Sequence, residues 1–291
     1  MYIAQHFNQA RLFQRVAAWD GSQKIDVRGH QPPTALLLHR ASAAFLFLER
    51  MAILANACRA QFERFRSRLA LATARISFWS PALAELLFEL SPFLTTMVVL
   101  QNSLLAAAAS QIGRPGTVPA SLNEFLKKRS HYTWFDGAVA TLLQGYWDDG
   151  GRTLRDFRDV DQHFYVLTQH SFLDLGSEPA LRIFLPDNPD TKSPRQFTFA
   201  KEIDALTYCQ REYSRFHDLT EAIAAHFGFE PAPHQQPLSL YEPYQVQPQE
   251  QPKTVALVVM DFGRFEGIEL GQVAGESTMF VRQLAKPEGG G

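Results

Sequence analysis

The chain has 291 residues, 46% of them hydrophobic, which is enough to bury one large core or two modest ones and too apolar for a disordered chain. A net charge of -2 excludes a global attraction to nucleic acid or to an anionic membrane, so any nucleic-acid surface has to be a local patch. The two cysteines, Cys58 and Cys209, lie far apart in apolar, helix-like surroundings, which excludes a disulfide framework and a cysteine zinc site and predicts buried thiols.

Residues 1–20 place Ile3, Phe7, Leu12, Phe13 and Val16 at near-helical spacing and predict a short amphipathic helix. The same stretch lacks a basic start, a long apolar run and a small-residue cleavage site, so no signal peptide is expected. A turn-rich loop follows, and Pro32 and Pro33 suit the first positions of a helix. From Thr34 to about Arg75 no Pro or Gly interrupts a run of mostly good helix formers, which predicts one long helix or two joined without a break. Its first half is almost wholly apolar and its second half is basic. One end should therefore lie deep in a bundle and the other along its surface.

Ser80 and Pro81 read as the N-cap and first position of the next helix, which runs to about Ser110 with Pro92 as the place where it would bend. Leu90 to Ile112 carries no charge and is long enough to span a bilayer. Pro92, Gln101, Asn102 and several Ser and Thr interrupt it, and Glu85 and Glu89 sit just upstream. It is expected to be a buried bundle helix of a cytoplasmic protein with no membrane partner.

A further helix is predicted over roughly Leu122 to Trp147, in two pieces around Ser130, and Asp148 to Gly151 should break it. The next spans about Arg152 to His170, with Leu154, Phe157, Val160, Phe164 and Leu167 as its core stripe. Residues 175–199 hold four prolines and predict a long excursion with short strands at Leu181–Leu185 and Gln196–Phe199. Such excursions often carry function. Ala200 to Phe227 returns to helix, and Gly228 fits its C-terminal cap. Residues 231–253 are rich in Pro and Gln and read as a linker or wrapping arm. Residues 254–285 predict two or three antiparallel strands, too short for a core of their own. The fold class expected is mainly α: a helical bundle over 1–230 with a small C-terminal antiparallel β extension.

Several familiar chemistries lack their motifs. There is no phosphate-loop signature, no dinucleotide-binding glycine pattern, no Gly-x-Ser-x-Gly elbow and no Glu-x-x-His pair, so neither a metal nor a cofactor is expected. Arg59, Arg64, Arg66, Arg68 and Arg75 form a basic run with Phe62 and Phe65 interleaved. It reads either as a surface that tracks a phosphate backbone, with Arg64, Arg66 and Arg68 as RNA contacts, or as a solvated face whose phenylalanines turn to the core. Lys127, Lys128 and Arg129 form a smaller patch with the same two readings.

In the stretch RDFRDVDQHFYVL, Arg158 is followed five residues later by His163. Internal cleavage of RNA needs a base for the 2′-OH, an acid for the leaving oxygen and a cation for the phosphorane charge. Histidine titrates near neutrality and can supply the base or the acid. Arginine stays protonated and can hold two phosphate oxygens in its fork. The roles expected are His163 as base or acid, Arg158 as phosphate clamp, Asp159 as the group that orients the imidazole, Arg155 as a further RNA contact, and His170 as an auxiliary. The alternative is a set of local ion pairs among Arg158, Asp159, Asp161 and His163 on a partly exposed helix. On a straight helix the pair stands about 140° apart, flanking the core stripe. Convergence then requires a distorted first turn or a second copy of the chain.

Arg158-Asp159-Val160-Asp161-Gln162-His163 in a helical protein resembles the signature of the HEPN superfamily: an arginine, four to six residues, then a histidine, often with a polar residue directly after the arginine. The resemblance covers roughly residues 30–230. It implies a helical bundle, a metal-independent endoribonuclease activity acting on RNA, and a toxin–antitoxin or phage-defence role with a protein antitoxin as partner. It also implies a site at a dimer cleft, hence a homodimer. The rival reading is a non-catalytic helical scaffold or protein-binding module that uses the Pro/Gln arm and the C-terminal strands.

Overall fold

The computed structural model describes Trp19 and residues 33–66, 75–77, 79–112, 119–167, 170–174, 180–229, 265–272 and 279–285. The predicted N-terminal helix, apart from Trp19, and the Pro/Gln arm lie outside these residues. The chain divides into two compact units, residues 1–231 and 232–291, each described here by itself.

The first unit is mainly helical. Helix α1 (Pro33–Arg66) and helix α2 (Pro81–Ile112) pack along each other. Cys58 lies 3.8 Å from Ser80 and Arg50 lies 2.7 Å from Glu89, so the two run antiparallel. α2 starts as its sequence dictates: Ser80 Oγ accepts the Leu83 N–H at 3.1 Å and Pro81 takes the first position. It continues through Pro92, which cannot donate to the carbonyl of Phe88. Phe88 itself is 79% exposed. Further along, Leu100, Leu104, Leu105, Ala107 and Ala108 are all fully buried, so α2 is the axis of the bundle. α1 and α2 are both long and apolar enough to cross a membrane by length and composition.

Short helix α3 (Leu122–Lys127), a 3-10 turn at Arg129–His131 and helix α4 (Gly137–Tyr146) follow, matching the two pieces expected around Ser130. Asp136 caps α4, accepting the Ala138 and Val139 N–H groups at 2.8 and 2.9 Å, and meets His226 Nε2 at 3.1 Å. The Val139 N–H and then His226 hold its carboxyl below the usual carboxylate range. A lowered folded pKa gives stability that is fully present above the ordinary carboxylate pKa and is lost as pH falls through the folded value. Asp136→Ala is expected to cost about 1 kcal/mol at neutral pH in urea unfolding. The difference from wild type should shrink below about pH 4, and a constant difference down to strongly acid pH would count against the cap.

The Asp-Asp-Gly-Gly break is a π-type turn over Trp147–Gly151, in which Gly150 has φ 157°. Helix α5 (Arg152–His163) then starts, and it ends seven residues earlier than expected. Phe164 leaves helical conformation at φ -131°. The core stripe is correspondingly cut: Leu154, Phe157, Val160 and Leu167 are buried, whereas Phe164 is exposed.

Strands β1 (Arg75–Ile76), β2 (Ser171–Asp174), β3 (Ala180–Leu185) and β4 (Ile203–Asp204) form one antiparallel sheet in that order. Arg75 is therefore a strand residue and not the end of a helix, and Ser171–Asp174, for which no element was expected, is a strand. The predicted strand at 196–199 is absent; a 3-10 turn at Pro194–Gln196 occupies its start, with Pro194 at the first position. The sheet alternates between its faces except at the end of β3, where Phe184 on the outer face is buried as well. Leu173, Leu181, Ile183 and Leu185 are buried, and partly buried Ile76 and Ile203 pack on the same core. Phe172, Asp174, Arg182, Phe184 and Asp204 take the alternate positions, on the other face.

Helix α6 (Ala205–His226) closes the bundle. Asp204 Oδ1 caps it through the Thr207 N–H at 3.0 Å, and Tyr213 Oη donates to the Ala41 carbonyl of α1 at 3.4 Å. Gly228, at φ 79°, lies just past its end, and the Phe229 N–H reaches back to the Ala224 carbonyl at 2.9 Å. Both cysteines are free and buried, and burial pushes both thiols up. In the second unit, β5 (Phe265–Gln272) and β6 (Met279–Ala285) pair as an antiparallel hairpin.

Candidate phosphate-handling site on helix α5

Helix α5 carries arginines at 152, 155 and 158, one turn apart, with aspartates at 156 and 159 directly after the second and third. Its apolar stripe faces the core through Phe157, whose ring meets Tyr208 of α6 edge-on at 5.0 Å. The charged side is drawn into a network. Arg152 Nε lies 3.9 Å from Asp156, and Arg155 Nη2 lies 3.3 Å from Asp159. Arg158 Nη2 lies 3.1 Å from Asp159, while its Nη1 donates to Gln162 at 3.2 Å. Gln162 in turn donates to Thr95 Oγ1 of α2 at 2.9 Å, which ties the arrangement to the bundle axis.

A fourth cation comes from far away in sequence. Lys192 Nζ lies 3.3 Å from Asp159 Oδ2. Lys192 ends the 3-10 turn Pro189–Thr191 in left-handed conformation, φ 51°, ψ 19°. Left-handed backbone is uncommon for a residue with a side chain and is kept only where the surroundings enforce it. Here they do. Asn188 donates to the Gln196 carbonyl at 2.9 Å and accepts the Thr198 N–H at 3.1 Å. Asp187 accepts the Ala200 N–H at 2.8 Å and the Lys201 N–H at 3.1 Å. The excursion is thus a braced arm that holds one lysine against α5.

Two carboxylates serve four cations. Asp156 is buried, and burial is the main influence that raises its carboxyl, with Arg155, Arg152 and Lys192 pulling it back. Asp159 is buried too, but three cations reach it. Arg158 Nε is buried and has no hydrogen-bond acceptor among the described residues, a costly state for a guanidinium N–H.

The other expected residues are placed as follows. His163 is the last residue of α5. It is exposed, its ring edge-on to Phe164 at 6.0 Å, and has no hydrogen-bond or ion-pair partner among the described residues. Asp159 is held by cations and not by His163. Arg158 and His163 are not brought together within one chain: the guanidinium is turned to Asp159 and Gln162, and the imidazole stands free at the helix end. His170 is not on the helix. It meets Tyr165 Oη at 3.2 Å and packs on Phe199 at 4.1 Å. Arg64 is exposed on α1, the Arg66 side chain and all of Arg68 lie outside the described residues, and Arg75 is paired with Glu202 at 2.9 Å.

Lys192, Gln162 and Thr95 were not singled out by sequence reasoning. Lys192 is 33 residues from Asp159 and carries no motif, so only the folded arm reveals it. Among the described residues, no three His, Cys, Asp or Glu side chains are grouped to hold a metal ion. A small cavity of about 250 Å³ opens on the outer face of the sheet, lined by Arg75, Asp174, Arg182, Phe184, Glu202 and Asp204. Arg75 stacks there over Phe172 and Phe184, at 4.8 and 5.5 Å from their centroids.

No family model matches the sequence, no curated protein is significantly similar to it, and no solved structure matches its fold.

Proposed function

We propose that the chain is a metal-independent endoribonuclease of HEPN type that works as a homodimer, in the toxin or phage-defence role its resemblance implies, with a protein antitoxin as a partner class. The observation that carries this reading is an exposed histidine, without a hydrogen-bond or ion-pair partner among the described residues, directly beyond the cation cluster that contains Arg158. His163 would take the 2′-OH proton or return a proton to the 5′-oxygen. Arg158 would exchange Asp159 and Gln162 for phosphate oxygens and offset the charge that develops on the phosphorane. Asp159 would hold the cations, a different task from orienting the imidazole. A second copy of the chain would set a second Arg158 and His163 beside the first and remove the 140° separation.

A second reading has its own support. Arg158 is already ion-paired, and Trp79 and Phe88 are 76% and 79% exposed. Both fit a non-catalytic helical module that docks on a protein. The two readings separate in one assay. Labelled single-stranded RNA is incubated with the purified full chain in excess chelator. The nuclease reading expects cleavage by wild type that His163→Ala removes. Intact RNA across a panel of sequences, with or without divalent ions, leaves the docking module.

A further inference from the structure

We propose that Arg155, Arg158 and Lys192 form a single phosphate cradle, with Asp159 as its built-in counter-ion. The proposal deepens the nuclease reading and rests on it for the identity of the substrate; it goes further in assigning a phosphate contact to the arm after β3.

Three positively charged groups lie within 3.3 Å of one carboxylate. The counter-ion cancels one charge of three. Including Arg152 and Asp156 makes four cations against two carboxylates, so the same excess of two remains. Asp161 lies near Asp159 and Asp190 near Lys192 in sequence, but among the described residues no ion pair joins either to the cluster. An excess of two matches a phosphate group, which brings one or two negative charges and up to three free oxygens. The three cations are also accessible: their side chains are 28%, 25% and 39% exposed. Asp159 itself is 12% exposed, so an anion meets the cations and not the carboxylate.

The arm fixes where Lys192 starts: the bracing by Asp187 and Asn188 holds the turn that ends at it, and its Nζ reaches Asp159. Asp159 keeps the three cations together before the ligand arrives, which lowers the ordering cost of binding. The ligand class is a phosphate group, and its source is either the backbone of single-stranded RNA or a free phosphate.

The test uses a fluorescent single-stranded oligonucleotide with 2′-O-methyl sugars, which cannot be cleaved. Its affinity for the full chain is measured by anisotropy from 50 to 200 mM salt, beside calorimetry with inorganic phosphate. Wild type is expected to bind with a steep salt dependence. Lys192→Ala should bind about 5- to 10-fold more weakly at low salt, with a log–log slope shallower by about 1. Lys192→Arg should restore most of the affinity, and Lys201→Ala, on the same arm, should match wild type. Thermal melts confirm that each variant is folded. Binding of inorganic phosphate but not of the oligonucleotide, lost in Lys192→Ala, keeps the cradle and assigns it to a free anion. Equal binding by wild type and Lys192→Ala in both arms overturns it, as does absence of binding in both. Cleavage is scored separately on unmodified RNA. A cradle without cleavage removes the nuclease reading alone, and cleavage that Lys192→Ala leaves intact, with unchanged binding, removes the cradle alone.

Discussion

Gly150→Ala is expected to lower the stability of the helical unit by about 3–5 kcal/mol, from backbone strain and a steric clash that add. Gly150 sits at φ 157°, ψ -25° in the π-type turn between α4 and α5, a conformation that side chains rarely adopt. A Cβ there would lie 2.6 Å from Arg215 Nη1 and 2.8 Å from Glu212 Oε2. Neither neighbour can step aside freely. Glu212 is fully buried, and its Oε1 takes Arg211 at 3.1 Å and Arg215 at 3.3 Å. Arg215 is further tied to Asp149. Moving these groups breaks a buried charge network, the costly direction for such pairs. A thermal melt should show a drop of about 10 °C. Gly145→Ala makes the control, since nothing lies within 4 Å of its Cβ and it sits inside α4. That change should stabilise by about 0.5–1 kcal/mol. Equal melting of Gly150→Ala and wild type would show that the turn is not held as described.

His163→Ala is expected to reduce RNA cleavage by about 100- to 10,000-fold while leaving the melting temperature nearly unchanged. The side chain is exposed and packs edge-on to Phe164, so its loss removes little packing. Arg158→Ala should cost about 100- to 1,000-fold, the usual effect of removing one donor to developing charge. Arg158→Lys should recover little, because an ammonium lacks the fork that reaches two oxygens. Single-turnover rates on one RNA distinguish these outcomes. If His163→Ala cuts as fast as wild type, the imidazole has no part in the chemistry.

Much of the fold can be read from the chain because local chemistry decides it. Ser80 with Pro81 starts α2, Asp136 caps α4, Gly228 follows the end of α6, and the Gly-Gly pair interrupts the helix before Arg152. Each is settled by a few neighbouring atoms. What the sequence conceals is decided by distant groups. The stripe Leu154, Phe157, Val160 continues in helical register to Phe164, so the early end of α5 leaves no mark in the pattern. β2 forms because β3 returns beside it, pairing Leu173 with Leu181, and not because Ser171–Asp174 favours a strand by itself. The candidate site divides in the same way. Arg155, Arg158, Asp159 and His163 share one helix and can be picked from sequence. The partner that Asp159 takes depends on an arm whose lysine is 33 residues away.

The outer edge of the four-stranded sheet has a consequence for how copies of the chain can meet. β4 is two residues long, preceded by the left-handed turn at Glu202 and followed at once by α6. That leaves almost no open backbone for a foreign strand to zip onto. Extension of the sheet by another strand is therefore disfavoured at the β4 border.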